Sequence, residues 1–169
     1  MEHGTRDLER NNLRAFLLMI RYSEGTADEN GYRALFGHKP SVPRLFQGFA
    51  DHPRIRTYEK NDEFIKNGRL DFTTAAGAYQ ITETTWDRLC KHYPEMLPDF
   101  SPASQDTAGK LLIAGRGALL LVFKGRFGDA VHKCRREWAS LPGANYGQPE
   151  RKFDSLQDYY VQQGGILHA

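Results

Sequence analysis

The chain has no long hydrophobic run. Its most apolar window, AFLLMI at 15–20, is bounded by Arg14 and Arg21 and falls far short of the roughly 20 residues that a bilayer-spanning helix needs, so no stable membrane association is expected. An excess of charge of one sign is missing too. With 23 Lys and Arg against 21 Asp and Glu the formal net charge is +2, too small to read as a footprint for nucleic acid. Cysteine is scarce: Cys90 and Cys134 make no disulfide framework for 169 residues and read as free core thiols. The histidines form no H-x-x-x-H pair and the cysteines no C-x-x-C pair, so neither a metal site nor a cofactor is expected. Nor is there a glycine-rich phosphate loop, an internal repeat or a low-complexity tract. The opening MEHGTRDLERNN lacks the basic, apolar, small-residue order of a secretory signal. The expectation is a protein kept in the cytoplasm until something releases it.

What is present is enough for a core. A hydrophobic fraction of 40% over 169 residues suits one domain spanning 1–169; a monomer is expected. Leu13, Phe16, Leu17 and Ile20 recur at helical spacing, with Asn11 or Asn12 as the N-cap. Residues 25–54 carry no sustained period and many Gly, Pro and Asp, and read as a long loop. Around Ile55, Thr57 and Tyr58 a short alternation begins, and Asn67-Gly68 between Ile65 and Leu70 signals a hairpin.

Helical patterning then returns. Thr82 caps a helix carrying Trp86, Leu89, Cys90 and Tyr93 on one face, and Ser101 with Pro102 opens another. ALLLVF at 118–123 reads as a short, largely buried helix closed by Gly125, and Phe127, Ala130, Val131, Cys134 and Trp138 form a further stripe. A last helix around Phe153, Leu156 and Tyr160 stops at Gly164-Gly165. Helices at both ends with a β insert predict an α+β fold, mainly helical, with a small β lobe and a cleft between two lobes.

Glu24 stands where the first apolar run ends, in RYSEGT. Desolvation against that helix and the negative end of the helix dipole would both raise its pKa, and a carboxylic acid kept protonated near neutrality can protonate a leaving oxygen. An exposed helix-end glutamate is the plain alternative.

Six blocks then bear on the choice. In order and approximate spacing, NNLRAFLLMIRYSEGT (11–26), DHPR (51–54), AAGAYQIT (75–82), DFSPASQD (99–106), GRGAL (115–119) and WASLPGANYGQ (138–148) resemble those of the phage lambda endolysin family. The resemblance implies a lysozyme-like fold and a bacteriolytic enzyme that cuts peptidoglycan glycan strands between N-acetylmuramic acid and N-acetylglucosamine. It further implies lytic transglycosylation, with 1,6-anhydromuramic acid ends, and Glu24 acting first as acid and then as base. Access from the host cytoplasm to the cell wall would then require a holin or similar lesion.

Further candidates carry different weights. Gln80 is expected to bind substrate, because its amide can both donate to and accept from an N-acetyl group, and Gly77 to let backbone approach a sugar closely. Tyr79 reads either as a cleft ring or as core, and Tyr146 as a cleft aromatic in a glycine-bracketed loop. Asp51 reads as a turn residue of DHPR, or as the second carboxylate that a hydrolytic muramidase would pair with Glu24. Trp86 and Trp138 are expected in the core, and Gln105 and Asp106 as first-turn residues of their helix. A non-catalytic glycan-binding tail module would keep the cleft without the catalyst. Two departures from the family stand out: a longer connection over 55–74, and Ala78 where the family's lambda member has a basic residue.

Overall fold

The structure, a computed structural model, describes residues 2–58, 65–66, 69–70, 72–144 and 150–168. Among these, regular structure comprises α1 (Glu2–Glu24), α2 (Glu83–His92), α3 (Pro102–Gly115), α4 (Leu119–Phe123), α5 (Phe127–Cys134) and α6 (Phe153–Gln162), with a 3-10 turn at Gly31–Arg33. One antiparallel ribbon pairs β1 (Ile65–Lys66) with β2 (Arg69–Leu70) in the register Ile65 to Leu70. The chain divides into two compact units, Met1–Glu24 with Gly109–Ala169, and Gly25–Ala108.

In the discontinuous unit, α1 starts much earlier than Asn11. No proline interrupts residues 2–24, and Leu8, Glu9 and Arg10 are good helix formers. The expected Asn cap is therefore not a cap. Asn12 is fully buried inside the helix, donating from Nδ2 to Phe123 O at 3.1 Å and accepting at Oδ1 from Ile166 N at 2.8 Å. The buried stripe of α1 is Asn12, Ala15, Phe16, Met19, Ile20 and Ser23, rotated from the all-apolar stripe that periodicity suggested, with a hydrogen-bonding residue at each end. Phe16 meets Phe127 and Tyr160 edge-on at ring separations of 6.0 and 6.4 Å. Helix α4 is less buried than expected: Val122 is enclosed, but Leu120 is 60% exposed, because five apolar residues on one helix cannot all face inward. Helix α5 ends at Cys134, and a turn carries Trp138 into the core, with Trp138 N donating to Cys134 O at 3.2 Å.

The continuous unit is built around Phe100, whose ring packs against Phe46, His52 and Trp86 at 5.8, 4.9 and 4.8 Å. Both capping expectations hold. Thr82 accepts from Thr85 N at the start of α2, and Ser101 Oγ accepts from Ser104 N as Pro102 opens α3. Residues 25–54 are irregular, as expected for the Gly/Pro-rich stretch, and isolated bridges such as Ala34 to Leu45 stitch them together. Cys90 and Cys134 are free thiols. Among the described residues no helix is long and apolar enough to cross a membrane, and no group of acidic, His and Cys side chains could hold a metal ion.

Candidate active site

Glu24 is the last residue of α1, and Gly25 follows with φ +75°, the left-handed conformation in which glycine ends a helix without steric cost. The carboxyl is not on an open helix end. Its Oε1 accepts a hydrogen bond of 2.5 Å from Ser140 Oγ, and Ser140 Oγ in turn lies 2.6 Å from the hydroxyl of buried Ser23. Burial pushes the Glu24 pKa up to about 7, against the opposing effect of the Ser140 hydrogen bond. Desolvation, one of the two causes expected from sequence, is thus the one that governs. Ser140 comes from the segment after α5, and Arg151 N holds the Ser140 carbonyl at 2.9 Å.

In the other unit, Ala76 and Ile81 exchange backbone hydrogen bonds around the four residues Gly77–Gln80. Gln80 closes this turn in a left-handed conformation, φ +48°, rare for a residue with a side chain. Its Nε2 donates to Gly77 O at 3.0 Å. Backbone strain of this kind persists only where surrounding contacts over-determine it, and here they come from the first turn of α3. Gln105, fully buried, accepts from Ala78 N at Oε1 and donates from Nε2 to Tyr32 O and Phe100 O. Asp106 Oδ1 accepts from the hydroxyls of Tyr32 and Tyr79, at 2.9 and 2.7 Å. Thr26 Oγ1 donates to Ala78 O at 2.6 Å.

Several sequence candidates take on a sharper meaning. Gly77, φ +75°, faces protein: a Cβ there would sit 2.3 Å from Gln105 Oε1 and 3.1 Å from the Phe100 ring. Tyr79 is 2% exposed, so its ring belongs to the core and its hydroxyl to Asp106. Asp51 accepts from Trp86 Nε1 and His52 N at Oδ1, and from Arg54 at Oδ2, while Arg54 also bridges to Asp87. Burial would raise its pKa, but these donors prevail and hold it below the usual carboxylate range. Tyr146 lies outside the described residues. Sequence reasoning gave no functional weight to Ser140, or to Gln105 and Asp106 beyond their helix turn. All three lie inside the quoted blocks WASLPGANYGQ and DFSPASQD, and a block retained around a lone polar residue was the available signal.

Residues 14–167 match the family model described as Endolysin. This chain belongs to the endolysin family. An endolysin of Escherichia phage P2 is 38% identical over 160 residues, covering 92% of this chain and 94% of that protein. An endolysin of Escherichia phage lambda is 40% identical over 160 residues, covering 93% and 94%. The fold agrees: lambda lysozyme, solved in complex with a chitohexasaccharide, superposes with a TM-score of 0.80 at 36% identity, covering 94% of this chain and 97% of that one. A second lambda lysozyme structure gives 0.76 at 35% identity. The endolysin described here is thus a lysozyme-like, mainly helical α+β protein with little strand, and its family function is peptidoglycan degradation.

Proposed function

We propose that this endolysin cleaves the bond between N-acetylmuramic acid and N-acetylglucosamine by lytic transglycosylation, with Glu24 as its acid and then its base. The observation that carries the reading is one desolvated carboxyl among the described residues, whose pKa of about 7 keeps both protonation states populated at neutral pH, as a group with two successive roles requires. In the first half, the Glu24 proton passes to the glycosidic oxygen as the bond to muramic acid C1 breaks, and the glucosamine end departs as an alcohol. In the second, the muramic acid C6 oxygen bonds to C1 and its proton returns to Glu24. The carboxyl is restored, no water enters, and the product carries a 1,6-anhydro ring.

The glycan of the lambda complex supports a saccharide substrate, and the strained turn supports Gln80 as a contact to an N-acetyl group, with Gly77 and Tyr79 shaping that turn. Tyr146 is retained as a cleft aromatic on its place in the WASLPGANYGQ block.

Mass spectrometry of peptidoglycan digested by the purified protein tests the chemistry. Anhydromuramic ends are expected; reducing ends with one water added would establish hydrolysis instead. Asp51 is the second carboxylate of that hydrolytic alternative, yet its oxygens hold Trp86, His52 N and Arg54. Asp51→Asn, which keeps an acceptor for Trp86, is therefore expected to leave cleavage within about tenfold of the wild type, since no proton transfer is lost. A drop of three orders of magnitude with an unchanged melting temperature would restore Asp51 to the chemistry.

A further inference from the structure

Two serine hydroxyls stand in line behind the Glu24 carboxyl: Ser23 one residue before it on α1, and Ser140 from a segment 116 residues away. A hydroxyl has one proton to give. Ser140 donates its proton to Glu24 Oε1, so the proton shared between the two serines is Ser23's, and the chain runs in one direction, Ser23 to Ser140 to Glu24. Oε1 is thereby engaged. Among the described residues Oε2 makes no hydrogen bond.

The geometry points to Ser140, backed by Ser23, as a positioning residue that anchors the Glu24 carboxyl by Oε1 and leaves Oε2 to carry the transferred proton. This rests on the proposed acid-then-base role of Glu24. In the acid form, Oε1 is the carbonyl oxygen and accepts from Ser140 while Oε2 holds the proton. Once that proton has left, the same bond faces a charged oxygen, and hydrogen bonds to ionised acceptors are the stronger ones. The serine pair therefore favours the carboxylate that forms as the glycosidic bond breaks, and it holds one oxygen still while the other gives and takes back the proton. Several charged groups stand on the neighbouring segments. Arg21 lies one turn back on α1, Glu150 accepts from Gly143 N, Arg151 lies over the Tyr22 ring, and Asp28 is paired with His38. Burial and Ser140 alone account for the state of Glu24.

The test follows the Glu24 side-chain carbon by NMR through a pH titration of the full-length protein, the signal being assigned by its disappearance in Glu24→Gln. In Ser140→Ala the midpoint is expected to move upward from the wild-type value, with the alkaline limb of kcat/KM moving with it. The rate below that limb should fall about tenfold or more, the loss of one hydrogen bond to a charged group. Ser140→Thr keeps the hydroxyl and should keep the wild-type midpoint. Ser23→Ala should move the midpoint in the same direction by less, and should add nothing once Ser140 is already Ala. A Ser140→Ala midpoint that is unchanged or lowered, whatever happens to the rate, overturns the proposal. So does a Ser23→Ala shift that persists undiminished without Ser140. If Ser140→Ala does not fold, an upward midpoint in Ser23→Ala beside a wild-type midpoint in Ser140→Thr supports the relay, and no shift in Ser23→Ala refutes it. Cleavage retained by Glu24→Gln would instead strike the transglycosylase reading, while the titration would still report on Ser140.

Discussion

Glu24→Gln is expected to lower the rate of glycan cleavage by about 10³-fold or more, because it removes both the proton donated to the leaving oxygen and the base that recovers one, each worth 10²–10⁴ in general acid–base catalysis. Glutamine is nearly isosteric and can still accept from Ser140, so glycan binding should persist within a few fold. That split separates a catalyst from a binding module, which would keep its function. The same substitution has an opposite effect on stability. The folded protein holds the Glu24 proton up to about pH 7, while the unfolded chain releases it near pH 4.5. The folded state thus binds the extra proton between these values, and stability falls as pH rises through that window. Above it, burying the charge costs roughly 3 kcal/mol. At pH 8 Glu24→Gln should therefore melt higher than the wild type, and at pH 4 the two should coincide. A variant that melts lower at pH 8 would mean that Glu24 is not desolvated in the way described.

The second large effect is expected at Gln105, which transfers no proton. Gln105→Ala orphans Ala78 N, Tyr32 O and Phe100 O and opens a cavity at a fully buried position. Buried groups left unpaired cost about 1–3 kcal/mol each, so a loss of roughly 3–5 kcal/mol and a fall in melting temperature of about 10 °C are expected. The Gly77–Gln80 turn loses its support, and KM should rise more than kcat falls. Gly77→Ala should cost a similar amount by the converse route, since its Cβ would meet Gln105 Oε1 at 2.3 Å and the position has φ +75°. The two share one space, so the double variant should cost less than the sum of the singles. Strict additivity in calorimetry would disprove that link.

How far these features could be read in advance depended on the range of the interaction. Thr82, Ser101 with Pro102, and Gly164-Gly165 mark helix ends correctly because a cap is a matter of three or four consecutive residues. The pairing of Ile65–Lys66 with Arg69–Leu70 was legible for the same reason, while the Asn67-Gly68 turn itself lies outside the described residues. Asn12 was misread because its amide serves Phe123 and Ile166, partners that no local pattern announces; an asparagine beside an apolar run looks like a cap whether or not the helix begins there. The shift of Trp138 from helix to turn was likewise invisible, since burial alone maintains the apolar spacing. The sequence marks Gln105 only as a first-turn residue behind a capping serine, which hides its bonds to Ala78, Tyr32 and Phe100, and Ser140, before Leu141 and Pro142, carries no local signature at all. Glu24 was identified by family resemblance; its desolvation could be argued from the neighbouring apolar residues, but its serine partner could not.

The discontinuity of the first unit sets a timetable for the protein's own manufacture. Residues 25–108 form a continuous compact unit, available to fold while the ribosome is still at work. The helix that ends in Glu24 has no such opportunity. Its Asn12 waits for Ile166, 154 residues later, and Glu24 waits for Ser140, 116 residues later. At synthesis rates of 5–20 residues per second that second interval is on the order of ten seconds, and contacts of such sequence separation are the slow ones to close. Throughout that interval the carboxyl stays solvated and acidic as any surface glutamate. A nascent chain thus begins with an open, solvated Glu24 and gains the buried, serine-bonded carboxyl in the final steps of assembly, when the last helices close over α1.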